Sequence, residues 1–166
     1  PEIKKIWAEY LKIDAILAVT IKAGLTPREI MQDYTRRFEE EGIIMRDPQL
    51  HMVQPRDNFP VYSIGYDPEK IQLTIDAHAM GKGARKWKFQ NFFGPRIGSQ
   101  GPDWTHDIPL PPNHDFVLEY FFYMPSPTNN KREDQYLYWW AHEQVFATEN
   151  GVQYFPPTQK KLYIIR

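Results

Sequence analysis

Along the first forty residues the apolar positions recur with helical spacing. Ile3, Ile6, Trp7 and Tyr10 fall at i, i+3, i+4 and i+7, and Ile13 or Leu17 continues the pattern of one buried helix stripe. The stripe then broadens into Ala15–Ile21, apolar all round, which fits either a buried helical continuation or a buried strand; because no breaker precedes Gly24 the helix is favoured, giving a first helix over about residues 3–23. A second helix is predicted over 27–41. Thr26 offers an N-cap hydroxyl, Pro27 fits the first helical position, Glu29 completes a capping box and Leu25 can staple onto Ile30. Its stripe is Ile30, Met31, Tyr34 and Phe38, and Gly42 supplies the left-handed stop.

After Ile43 the period changes. Pro48, Pro55, Pro60 and Pro68 mark turns between brief extended pieces, and alternation of period two then predicts strands over 71–92 and 114–166. In the first, Ile71, Leu73, Ile75, Ala77 and Ala79 oppose Gln72, Thr74, Asp76, His78 and Met80. Residues 94–113 form an irregular Gly/Pro-rich loop carrying Trp104 and His106, and Glu149-Asn150-Gly151-Val152 signals a hairpin with positive φ at both turn positions. Helices first and strands later imply one α+β domain over 1–166, with two N-terminal helices on a twisted, mostly antiparallel sheet of five to six strands closing with Leu162–Ile165.

The late strands are aromatic front and back. Tyr136, Tyr138, Trp140 and His142 alternate with Leu137, Trp139 and Ala141, and Phe116, Leu118, Tyr120 and Phe122 alternate with Val117, Phe121 and Tyr123. Such a sheet needs apolar cover on both faces, while the chain supplies helical cover for one. The expected binding or interface residues are therefore Tyr136, Tyr138, Trp140, His142, Tyr120, Phe122 and Trp104, with a ligand, a subunit or a folded-back loop over the second face.

Composition narrows the choices. A formal net charge of −1 argues against a generally basic nucleic-acid binder. The absence of cysteine excludes disulfides, zinc ribbons, iron–sulfur ligation and thiol catalysis. The run Ile13–Ile21 is too short to span a bilayer and lacks signal-peptide flanks, so a soluble protein inside a cell or a particle is expected. No nucleotide fingerprint, phosphate loop, nucleophile elbow or metalloprotease helix is present, and no cofactor is expected.

Chemistry-bearing candidates are few. Asp76 and His78 share a strand face, close enough for the carboxylate to bias the imidazole toward general-base work, against the alternative of an ordinary solvated face. His142 shares a face with Tyr138 and Trp140, where burial would lower its pKa. His51, His106 and His114 stand at no metal-ligand spacing, so no metal site is expected. Lys82, Arg85, Lys86, Lys88 and Arg96, interleaved with Trp87 and Phe89, form a basic cluster that reads either as a nucleic-acid contact or as a strand edge guarded by lysines.

These features lead to a non-enzymatic structural or interaction subunit of a larger assembly, such as a viral or phage particle component, whose aromatic sheet face and Pro-rich loops are interfaces with protein subunits of the same or another chain. In its order of elements the chain also resembles the ketosteroid-isomerase-like cone fold. That resemblance implies a small-molecule enzyme or carrier, its pocket lined by Tyr136, Tyr138, Trp140 and His142, with Asp76 or His78 as base. Nucleic-acid binding through Lys82–Arg96 is the third alternative, and no membrane contact is expected.

Overall fold

A computed structural model of the chain describes residues 2–45, 69–79, 94–98, 103–125 and 136–164. Its elements are helix α1 (Glu2–Thr20), helix α2 (Pro27–Glu40), and strands β1 (Ile44–Met45), β2 (Gln72–Ala79), β3 (Asp115–Pro125), β4 (Tyr136–Thr148) and β5 (Gly151–Tyr154). The strands form one five-stranded sheet in the order β1-β2-β3-β4-β5, and the fold is the expected α+β type.

Both helices form for the reasons legible in their sequences. Ala15–Thr20 continues α1 as helix, with Ile13 and Leu17 fully buried. The helix ends at Thr20 rather than near residue 23, because the Thr20 hydroxyl donates back to the Ile16 carbonyl at 3.0 Å and the Ala23 amide donates to the Thr148 carbonyl in β4 at 2.9 Å. The chain is thus drawn off the helix axis and onto the sheet. The α2 capping box is complete, since the Glu29 amide donates to the Thr26 hydroxyl and the Thr26 amide to the Glu29 carboxylate. Gly42 takes a φ of 72° and stops the helix.

Antiparallel pairing joins β2 to β3, β3 to β4 and β4 to β5. The edge strand β1 lies parallel to β2, a pairing absent from the sequence reading because two residues carry too little alternation to register. Beyond β1 on the same edge, Ala77 and Ile97 exchange both backbone hydrogen bonds, at 2.7 and 2.9 Å, so the loop predicted from residue 94 begins as an extension of the sheet. That loop also contains a short 3-10 helix, Asp103–Asp107, fastened to α2 through Arg28, whose guanidinium reaches Asp107 at 2.8 Å and Asp103 at 3.3 Å.

One face of the sheet meets the helices. Leu73, Ile75 and Ala77 of β2, Phe116, Leu118, Tyr120 and Phe122 of β3, and Ala141, Val145 and Ala147 of β4 bury against Ile6, Tyr10, Ile13, Leu17, Ile30, Tyr34 and Phe38. The hairpin joining β4 to β5 departs from expectation. Gly151 alone adopts positive φ, at 130°, and it does so where the backbone of α1 presses on it: a Cβ there would stand 2.2 Å from the Ala18 carbonyl oxygen. Residues 161–164 carry no strand, and Tyr163 and Ile164 are exposed.

Candidate functional site: the open face of the sheet

The register of β3 against β4 decides which rings stand on which side. Tyr120 pairs with Ala141 and Phe122 with Trp139, while Phe121 pairs with Trp140 and Tyr123 with Tyr138. Tyr120 and Phe122, expected at an interface, lie fully buried under the helices. Phe121 and Tyr123 take their place on the open face beside Tyr138 and Trp140. The sequence offered aromatics to both sides of β3, so only the pairing with small Ala141 identifies the half that the helices cover.

On the open face the rings form a stacked rank. Phe121 lies 5.7 Å from Trp140 with the planes 4° apart, and 6.0 Å from Tyr138. Tyr123 meets Tyr138 at 5.1 Å, and His142 sets its edge against Trp140 at 5.8 Å. Phe121 is buried, as are Gln72, Thr74 and Val117 on the same face, whereas Tyr138 keeps 48% and Trp140 55% of its surface in contact with solvent. His142 is exposed rather than buried as expected, because it lies beyond the rings instead of beneath them. Further along, Phe146 meets Phe155 at 6.3 Å, and Phe155 is also exposed. Tyr136 begins β4.

Toward β2 the same face turns polar. Asp76 does not orient His78 as the sequence suggested. Its carboxylate accepts two hydrogen bonds from Arg96, Nε to Oδ1 at 2.8 Å and Nη2 to Oδ2 at 2.7 Å, and the side chains are 12% and 3% exposed. His78 instead lies 3.7 Å from Glu119, the cross-strand neighbour of Asp76. The backbone bridge at Ile97 brings Arg96 to this place, and Gly98 permits it, since a Cβ there would stand 2.7 Å from the Ile75 carbonyl oxygen. Arg96 therefore belongs to a buried ion pair and is withdrawn from the basic cluster in which the sequence placed it. Lys82, Arg85, Lys86 and Lys88 lie outside the described residues.

Asp76, His78 and Glu119 bring one potential ligand atom each within 4.8 Å of one another. The donor set would suit a divalent cation, but the Asp76 oxygens are already held by the guanidinium, which an ion would have to displace. Elsewhere, Trp104 is exposed in the 3-10 helix on the α2 flank and does not join the aromatic rank. His106 is buried with Nε2 2.8 Å from the Gly98 carbonyl, and His114 stacks on Phe116 at 5.9 Å, its pKa lowered by burial. Among the described residues no helix is long and apolar enough to cross a membrane.

No family model matches the chain, and comparison with curated proteins gives no match. Among solved structures it is similar to X-Pro aminopeptidase from Thermotoga maritima, with a TM-score of 0.53 and 16% identity. The likeness covers 99% of this chain and 34% of the aminopeptidase, so the chain corresponds to about a third of that protein's length. At this identity the similarity concerns the fold.

Proposed function

We propose that this chain is a non-enzymatic interaction subunit that associates through the open face of β3 and β4, the occupant being the same face of a second copy. The observation that carries the reading is that Tyr138 and Trp140 stand about half in water while stacked on the buried Phe121, at the middle of the two longest strands. Stacking fixes the rings before any partner arrives, so little side-chain freedom is lost on docking, and Trp and Tyr are the residue types that most often dominate an interface. The face is suited to pairing about a two-fold axis, where one patch must complement itself, because flat rings can meet rings.

Sedimentation velocity from about 1 to 100 μM tests this. Association that strengthens with concentration is expected, and Trp140→Ala should weaken it by about 2 kcal/mol or more, roughly thirtyfold in the dissociation constant. A chain that stays monomeric throughout, or a dimer indifferent to Trp140→Ala, would end the proposal. A monomer whose tryptophan fluorescence responds saturably to a peptide or small apolar ligand would replace assembly with ligand binding.

A further inference from the structure

A second cluster lies on the opposite side of the sheet, beneath α1. Asp14 interrupts the apolar stripe formed by Ile6, Tyr10, Ile13 and Leu17, and is 1% exposed. A carboxylate so placed must be compensated. Tyr154 of β5 donates its hydroxyl to Asp14 Oδ1, and the Lys160 ammonium stands 3.2 Å from Oδ2. Tyr10 directs its hydroxyl to Glu143 of β4 at 3.5 Å. The ring of Tyr120, fully buried, stacks with Tyr10 at 6.3 Å, and its hydroxyl has no hydrogen-bond partner among the described residues. Burial, and after it the charges of Asp14, Tyr10, Tyr154 and Glu143, hold that hydroxyl above its ordinary pKa.

The cluster thus gathers two carboxylates and three phenols on four regular elements, α1, β3, β4 and β5, and one cation from outside them. Lys160 belongs to the irregular segment after β5, is 64% exposed at its side chain, and lies 5.7 Å from the centre of the Tyr154 ring. The receptor is part of the packed core and its occupant is not. Acceptor oxygens and a ring face suit an ammonium with three N–H donors on an apolar stem.

We propose that Asp14, Glu143 and the hydroxyls of Tyr10, Tyr120 and Tyr154 form a receptor for a primary alkylammonium group, filled in cis by Lys160 and open to a free amine of the same chemistry when Lys160 is withdrawn. Chemical rescue tests it. Lys160→Ala should lower the melting temperature by about 2–4 °C. Ethylammonium or n-butylammonium chloride should restore the loss saturably, as expected for a ligand bound only by the folded state. Equal concentrations of sodium chloride or tetramethylammonium chloride should not, because neither offers an N–H. Rescue should disappear in Lys160→Ala/Asp14→Asn and, should that variant not fold, weaken in Lys160→Ala/Tyr154→Phe. An unchanged melting temperature in Lys160→Ala, no restoration by either primary amine, or equal restoration by sodium or tetramethylammonium would overturn the assignment.

Discussion

Removing Asp76 should cost this protein a large part of its stability. Arg96 is 3% exposed at its side chain and gives Asp76 two charge-assisted hydrogen bonds, at 2.8 and 2.7 Å. In Asp76→Ala the guanidinium cannot simply swing into water, because Ile97, its neighbour in the chain, is tied to Ala77 by two backbone hydrogen bonds. Breaking a buried pair in this way costs about 3–5 kcal/mol, against a total of roughly 5–15 kcal/mol for a folded domain. Glu119, on the same face, can offset part of the loss, which favours the lower end of the range. Replacing both partners with apolar groups, as in Asp76→Ala/Arg96→Met, removes the pair as a whole and should bring stability back to within about 1–2 kcal/mol of the parent. Urea unfolding followed by circular dichroism, with the slope checked for constancy, measures both values. A single-variant cost below about 1 kcal/mol, typical of an exposed ion pair, would refute the argument, as would a double variant less stable than Asp76→Ala.

Gly151→Ala should destabilise by about 2–4 kcal/mol, since it adds a Cβ 2.2 Å from the Ala18 carbonyl at a φ of 130°, and thermal melting will show it. Phe122→Ala, at a fully buried site, should cost about 3–5 kcal/mol, while Phe155→Ala, 61% exposed, should cost under about 1 kcal/mol; equal values in urea titrations would contradict the assignment of faces. His114 contributes a pH dependence. Burial holds its pKa below the ordinary 6.5, so the unfolded chain takes up the proton first: its contribution is fully present above 6.5 and is lost as pH falls through 6.5 toward the folded value. His114→Gln should flatten that slope in melting curves between pH 5 and 8, and an unchanged slope would count against it.

Much of the fold was legible because local chemistry and tertiary packing agree. Thr26 and Glu29 cap α2 as their spacing demands, and the alternation in 73–77 sets Leu73, Ile75 and Ala77 together in the core. What failed is non-local. The partner of Asp76 lies 20 residues away on a bridge that no periodicity announces, so the sequence paired it with His78 instead. Tyr120 and Phe122 were assigned to an interface because β3 is aromatic on both sides, and composition cannot say which side meets a helix. The Asp14 cluster was missed because its members come from four elements; the signal available was a lone acid among Tyr10, Ile13 and Leu17, an expensive substitution unless something answers it.

The division of β3 between two environments makes its length less negotiable than its composition. Deleting one residue between Phe116 and Met124 would rotate every side chain beyond the deletion by half a turn, sending Tyr120 and Phe122 outward and drawing Phe121 and Tyr123 beneath the helices. Substitutions can accumulate on either side of this strand independently, but a change in residue number would trade the core for the open face in a single step.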